Sequence, residues 1–510
     1  MNLIDRMATR IGYVSVERHK MGLKRSFEVA RKSNITSDWV MSATHIDADL
    51  NRDLDALRAR ARDLVLNNPY AASFVKMVRR NVIGSNGLKL QMKVRDPNGK
   101  ADSEANRLIE EAWEDWGKKK NCTVTRMKSW LDVSYVATSH LISDGEFIFR
   151  KYSGFKNKHS FALQEIDPGL LDTTLNVQRD GRHNEIRMGV EMDIYGAPIA
   201  YWFKQYNGSF QVSLYQNYYS GERIRIPAEE IIHGFPMYFA GQTRGWPLMV
   251  PSMMALKMLG GYNQAVVVGA RAGACQIAAI QTETTDGGFS GSDGKTEEGA
   301  PMVEMEPGMM MRLGPGETLK EFNPTQPTAL YDPFEKAVLR SISIGTGYTY
   351  VQFTGDLSGV NYSSMRAGAL EDREEHKYLQ SLMITHFAEP VFEGWLPPAL
   401  ATGVIPLPLT KIDKFSKCKF TGRRWDWVDP QKEAEGAKIR IEQGLDTVTN
   451  ILAEQGKDIE DVLRERQEEL AMAEKYGVKL PEPGDQSSKA SSPKAEFTSG
   501  QGGGADEDQN

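Results

Sequence analysis

The chain has 510 residues, 40 % of them hydrophobic, with 68 acidic side chains against 62 Lys and Arg for a net charge of −6. That length allows several subdomains around a sizeable core, and the acidic balance argues against a protein that grips duplex nucleic acid tightly. Cys122, Cys275 and Cys418 lie far apart with no CxxC pair, which argues against a disulfide framework or a zinc knuckle.

Asp5, Arg6, Arg10, Glu17, Arg18 and Lys20 interrupt the start of the chain, so no secretory signal is expected and synthesis is expected in the cytoplasm. Residues 1–50 lack sustained periodicity and read as an arm. Leu54, Leu57, Ala61 and Leu64 then have helical spacing, and Pro69 starts a second helix carrying Phe74, Met77 or Val78, and Val82. After a turn at Gly84–Gly87, Leu88, Leu90, Met92 and Val94 alternate with polar residues as in a half-buried strand, and Asp96–Gly99 turns the chain again. Helices are predicted over Asp102–Trp116 and Met127–Ile142. Strands are predicted at Phe147–Phe149, Phe161–Leu163, Met188–Val190 and Ile199–Phe203, with a turn at Tyr195–Pro198.

Trp246–Ile280 is the most apolar region, yet only thirteen residues separate Lys257 from Arg271, short of the roughly twenty a membrane span needs. A buried, closely packed helix is expected. Residues 282–330 turn rich in Gly, Pro and acid, nine acids against three bases. Asp332 and Pro333 then look like the cap and first residue of a helix ending near Ile344, with Gly345 as its left-handed stop. Tyr348–Asn361 mixes aromatic, small and polar residues and reads as a non-helical loop whose only charge is Asp356. Ser363 or Asn361 caps a second helix. Its stretch Glu371–Lys377 looks polar on every side, and Leu379, Leu382, Met383 and Phe387 look apolar again. Asp429 with Pro430, Asp446 or Thr447, and Asp458 mark three further helix starts, with Leu445, Val448, Ile451, Leu463 and Leu470 among their apolar positions. From Pro481 the chain is too polar to fold alone.

Catalytic patterns are weak. In Gly288–Thr296 the first glycine stands one residue too far from Gly294-Lys295-Thr296 for a phosphate-binding loop, and acids crowd the place of a polyphosphate. No HExxH or nucleophile–base constellation occurs; His233 among Ile231, Ile232 and Phe235 reads as a hydrogen-bonded core residue. Arg58, Arg60, Arg62, Lys76, Arg79 and Arg80 form the most basic cluster, read as a solvated helix face interleaved with Asp53, Asp55 and Asp63. No catalytic residue, metal site or cofactor is assigned.

Leu357–Ser364 followed by Arg366-Ala367-Gly368 resembles the tunnel loop and following helix of lambda-type tailed-phage portal proteins. Leu57–Arg62, Asn67–Ala71, Gly189–Glu191 with Asp193, Gly196–Pro198, Gly241–Gly245 and Trp427–Pro430 match in the order of that family. The resemblance implies an α+β portal fold in a ring oligomer, dodecameric in the family. It places an N-terminal arm at 1–50, a wing at 51–246, a stem helix at 247–281, the clip at 282–330 and a second stem helix at 331–347. The tunnel loop falls at 348–362, the long helix and wing return at 363–428, the helical crown at 429–478 and the tail at 479–510. Tyr350, Gln352, Thr354, Asp356, Ser358 and Asn361 become candidate channel residues, and Glu297, Glu298, Glu304 and Glu306 candidate docking residues. Implied partners are other copies of the chain, the terminase large subunit, head-completion proteins, the major capsid and scaffolding proteins, and duplex DNA in transit. The expected location is the virion's portal vertex, after assembly in the host cytoplasm, with no membrane. A motor or DNA-processing enzyme and a shell-forming capsid or connector protein are the alternatives.

Overall fold

The computed structural model describes residues 44–206, 219–274, 278–282, 294–295, 301–302, 317–321, 328–425, 430–454 and 459–478. They divide into a unit ending at Arg423 and another beginning at Arg424.

In the first unit, α1 (Ile46–Asn67) begins inside the span read as the arm. It buries Leu50, Leu54, Ala61 and Leu64, while Leu57 is only half-buried and Arg58 takes an inward position. Asn68 Oδ1 accepts from the amides of Tyr70 and Ala71 and so caps α2 (Pro69–Val82), whose first residue has no N–H to satisfy. Phe74, Met77, Val78 and Val82 face inward as their spacing predicts. After β1 (Lys89–Met92) come α3 (Ser103–Trp116), capped by Asp102, and a single turn α4 (Lys119–Cys122). Next is α5 (Trp130–Ser143), which starts three residues later than predicted because Ser129 and Asp132 form a capping box.

Seven strands follow: β2 (Phe147–Ser153), β3 (Phe161–Ile166), β4 (Glu185–Arg187), β5 (Val190–Met192), β6 (Pro198–Tyr206), β7 (Tyr219–Pro227) and β8 (Ile231–Gly234). They make two antiparallel sheets, ordered β3-β2-β8 and β4-β5-β6-β7. The strand predicted at Met188 moves to Val190 because Met188 and Gly189 have φ of +46° and +82°, a turn geometry.

The apolar region splits into α6 (Val250–Ala274) and β9 (Ala278–Thr282). It is less buried than predicted: Met249, Met253, Leu256 and Leu259 pack inward, whereas Met254, Met258, Val267 and Val268 are exposed. No helix among the described residues is long and apolar enough to cross a membrane. Beyond β10 (Gly294–Lys295) and its partner β11 (Pro301–Met302), β12 (Glu317–Glu321) returns along β9, with Thr282 opposite Glu317 and Ala278 opposite Glu321. α7 (Thr328–Thr346) then runs back along α6. Ser252 Oγ donates to the Ile342 carbonyl at 2.7 Å, Asn263 Nδ2 to Glu335 at 2.8 Å, and Tyr262 stacks on Tyr331.

α7 corrects the predicted start. Asp332 and Pro333 lie inside it, and Asp332 pairs with Lys336 one turn on rather than capping. Gly345 is helical and not the stop; the left-handed residue is Gly347, φ +79°. Gly345 answers a different demand, since a Cβ there would lie 2.3 Å from Ser252 Oγ. Gly345→Val is therefore expected to force α6 and α7 apart and cost about 1–3 kcal/mol, seen as a lower melting temperature; an unchanged melt would contradict the close approach.

The chain continues through α8 (Tyr350–Thr354), α9 (Tyr362–Met383), a wide turn at Ile384–Ala388, α10 (Glu389–Ala401) and α11 (Ile412–Phe415) to β13 (Cys418–Thr421). β13 pairs antiparallel with β1, Lys89 opposite Thr421 and Met92 opposite Cys418. The core between these ends is aromatic. Trp113 lies 4.7 Å from Trp116 and 5.1 Å from Trp395, and Trp130 stacks on Phe387 at 5.1 Å.

The second unit holds α12 (Pro430–Glu442), α13 (Val448–Glu454) and α14 (Ile459–Tyr476). Thr447 Oγ1 accepts from the Asn450 amide and caps α13. Ile451 is buried, but Leu445, Val448, Leu463 and Leu470 are exposed in the single chain rather than packed as predicted. Asp429, Asp458 and residues 479–510 lie outside the described residues.

Candidate functional site

Between α7 and α9 the loop 347–361 divides into an anchored half and a free tip. Tyr348 and Phe353 are both buried. The Tyr348 ring meets Phe74 edge-on at 5.6 Å, and Phe353 packs against Tyr70 and Phe74 of α2 at 6.3 and 5.9 Å. Between these anchors the Thr349 amide and hydroxyl donate to the Asp372 carboxylate at 2.8 and 2.7 Å. One turn further along α9, His376 Nδ1 lies 3.2 Å from the Tyr348 hydroxyl. Thr349 also caps α8, so one helical turn occupies a stretch predicted to contain no helix. The segment Glu371–Lys377, polar on every side, is not solvated on every side, because Asp372 and His376 are buried beneath the loop.

The candidate channel residues separate accordingly. Tyr350 is half-buried, with its hydroxyl donating to Asp356 Oδ2 at 2.9 Å and its ring beside Arg340. Gln352 and Thr354 are half-buried, and Thr354 Oγ1 donates to the Tyr350 carbonyl. Asp356 accepts from the Ser358 amide as well; hydrogen bonds from Ser358 and Tyr350 hold its carboxyl at about 2. Asn361 caps α9 by accepting from the Ser364 amide at 2.8 Å, which selects it over Ser363. Ser358 and Asn361 are exposed, along with Gly355, Leu357 and Gly359. The left-handed Gly355 and Gly359, φ +75° and +72°, bracket the tip. The docking candidates Glu297, Glu298, Glu304 and Glu306 lie outside the described residues. Lys295 sits in a two-residue strand, whereas a phosphate-binding loop presents its lysine at the start of a helix.

Sequence reasoning missed the anchors. Their signal is visible in retrospect as spacing, since Asp372 and His376 continue toward Leu379 and Met383 in one helical stripe. Burial, with Arg423 nearby, lowers the His376 imidazole to about 4. The folded state therefore holds fewer protons than the unfolded chain between about pH 6.5 and pH 4, and stability drops as pH falls through that window, by on the order of 3 kcal/mol if the shift is complete. Proteolysis of the loop is expected to accelerate over this window and to do so less steeply in His376→Gln, where the raised Asp372 and Glu375 carboxyls still titrate.

The first unit also contains a buried charged node. Glu146 accepts from Arg244 Nε at 2.9 Å and Nη2 at 2.6 Å, from the Gly245 amide at 2.9 Å, and lies 3.1 Å from His233 Nε2. Arg58 Nη2 is 2.7 Å from the same carboxylate as an ion pair without aligned hydrogen-bond geometry. Burial alone would raise the Glu146 carboxyl, but Arg244 and Arg58 hold it well below the usual carboxylate range. Arg244 Nη1 also donates to the Met188 carbonyl at 2.7 Å. Beside the node, Arg62 bonds Asp144 and Asp167, each at 2.6 Å. The predicted solvated face thus fails at Arg58 and Arg62, while His233 is the hydrogen-bonded core residue its neighbours implied.

The profile of phage portal proteins, lambda family, matches residues 32–380. The chain is 32 % identical over 465 residues to the probable portal protein of Halomonas phage phiHAP-1, covering 90 % of this chain and 89 % of that one. It is 23 % identical over 481 residues to portal protein B of Escherichia phage lambda, with 87 % and 88 % covered. Among solved structures, the neck of an empty gene transfer agent particle aligns at a TM-score of 0.44 with 13 % identity, covering 80 % of this chain and 94 % of that one. The chain belongs to the lambda family of phage portal proteins. It is a portal protein of a tailed phage, a structural part of the particle rather than an enzyme, in a family whose members form homo-oligomeric rings in the capsid.

Proposed function

We propose that this chain is the repeating unit of a dodecameric ring through which duplex DNA enters the capsid and later leaves, with the 355–361 tip facing the DNA. The loop carries this reading: anchored on α2 and α9, it has no Lys or Arg from Gly347 to Asn361, and its one acid is occupied internally. Phosphates pass about every 1.7 Å along a duplex, so each cation gripping them would have to be released at every step. A tip without Lys or Arg, its single carboxylate bonded within the loop, suits sliding contact on a fixed base. Exposed Met254, Met258, Val267 and Val268 on α6, with Ile344 on α7, supply apolar surface for neighbouring copies to cover.

In this reading residues 1–50 are the arm, 51–246 the wing, 247–281 and 331–347 the stem, 282–330 the clip, 348–362 the tunnel loop, 363–428 the long helix and wing return, 429–478 the crown, and 479–510 the tail. The acidic clip docks the terminase large subunit during packaging and head-completion proteins afterwards, and the ring meets capsid and scaffolding proteins at the vertex. Assembly takes place in the host cytoplasm. Electron microscopy of the purified chain is the direct test: isolated rings with a central hole are expected, and extended icosahedral shells would overturn the assignment.

A further inference from the structure

Two basic segments far apart in sequence are tied together by the fold at the end of the β2–β3 hairpin. Across residues 115–128 and 152–159 there are seven bases, Lys118, Lys119, Lys120, Arg126, Lys128, Lys156 and Lys158, against one acid, Asp115. The ties all end on backbone carbonyls. Asn157 Nδ2 donates to the carbonyls of Asn121 and Phe161, both at 2.8 Å, and the Val124 amide donates to the Leu163 carbonyl at 3.0 Å. Arg126 sits at φ +56°, a conformation few non-glycine residues adopt, and its Nη2 donates to the Lys156 carbonyl at 3.2 Å beside the Phe155 ring.

Asp115 is shared by Lys118 at 3.0 Å, Lys158 at 3.3 Å and His159 at 3.3 Å. Burial, opposed by Asp115 but reinforced by Lys158 and Lys120, keeps the His159 imidazole below its ordinary value, which places Lys120 in the same positive field. Lys128 is engaged by Glu165, and Asp132 lies near Lys119. The remaining cations exceed the local acids, although the whole chain is acidic. Lys118, Lys119, Lys120, Arg126, Lys156 and Lys158 are all exposed.

We infer that this face is a second DNA contact, separate from the channel loop, that holds the phosphate backbone of duplex DNA without reading its sequence. A patch built mainly of lysine supplies mobile point charges, which suit phosphates at variable positions. A protein partner fits less well, because lysine is depleted in protein–protein interfaces and six exposed cations outnumber the exposed Met127 and Tyr152 among them. The channel must let DNA slide, whereas a patch outside it can hold a stationary duplex.

The test uses assembled full-chain rings and a fluorescent random-sequence duplex of about 30 base pairs, read by anisotropy across a salt series. With about four phosphates engaged, affinity is expected to fall roughly 100-fold from 50 to 200 mM salt. The triple variant Lys119→Glu, Lys120→Glu, Lys156→Glu is expected to bind at least about 10-fold more weakly, with a shallower salt dependence. Substituting Gln at the same three positions gives a milder set should the reversals prevent ring formation, and is expected to weaken binding in the same direction. Unchanged duplex binding in rings of either triple variant overturns the inference, as does tighter binding of polyglutamate than of duplex, which assigns the face to an acidic protein. Removing the tip of the 347–361 loop is expected to leave this binding intact, so failure here is distinguishable from failure of the channel reading.

Discussion

Arg244→Ala is expected to cost about 3–5 kcal/mol, the range for removing one member of a buried ion pair. The guanidinium is fully buried and satisfies both the Glu146 carboxylate and the Met188 carbonyl. Its loss leaves Glu146 with Arg58 and His233 beside a buried gap, where water does not reproduce five donors held in a fixed fork. Arg244→Lys keeps the charge but loses the two-pronged geometry, so it is expected to recover only part of the loss. Glu146→Gln tests the same balance from the other side, leaving two buried arginines facing a neutral amide. Replacing Arg58, Glu146 and Arg244 together by Met, Leu and Met is expected to cost less than Arg244→Ala alone, because no buried charge is then left without a partner. Denaturant midpoints followed by tryptophan fluorescence measure all four; an Arg244→Ala midpoint within about 0.5 kcal/mol of the parent would sink the account, since that is the scale of an ordinary surface substitution.

Deleting Gln352–Val360 is expected to spare ring assembly and to abolish most packaging or retention of full-length DNA. The anchors on the α7 side, Tyr348 and Thr349, remain, as do Asp372 and His376 beneath them. The deletion does remove Phe353 from its place on Tyr70 and Phe74, which lowers stability as well as shortening the loop. A narrower variant separates the two effects: replacing only Leu357–Gly359 by one glycine keeps Phe353 and the Tyr350–Asp356 bond while shortening the exposed tip. Counting filled heads and measuring the length of the DNA they retain gives the readout. Normal packaging and retention in both variants refutes contact between this loop and moving DNA.

Much of the fold was legible because it follows local rules. The Pro69 start of α2, the alternation around β1, the helix near Asp102–Trp116 and the apolar stripe of α2 need only neighbouring residues to be read. The errors share a cause in distant packing. Asp332-Pro333 has the composition of a helix start, yet α7 already runs when it reaches them. Gly345 looks like a stop because glycine often is one, but the residue opposite it, Ser252, lies 93 positions away. Arg58 looked solvated because Asp53, Asp55 and Asp63 surround it in sequence, while its partner Glu146 stands just before β2, 88 residues on. In the candidate site the free tip was identifiable from its glycines and its lack of Lys or Arg. The anchored half was not, because Thr349 and Asp372 declare themselves only once α9 lies beneath the loop.

The pairing of β1 with β13 sets an order of events during synthesis. Lys89 waits for Thr421, so the first unit cannot close this two-stranded sheet until nearly all of it has left the ribosome. At roughly 5–20 residues per second, the interval between those two residues is on the order of tens of seconds. Throughout that time β1 offers an open edge and the aromatic core lacks Phe387, Phe392 and Trp395, which arrive only with the late segment. A nascent subunit is thereby kept from presenting its finished shape to other copies until its own chain is almost complete.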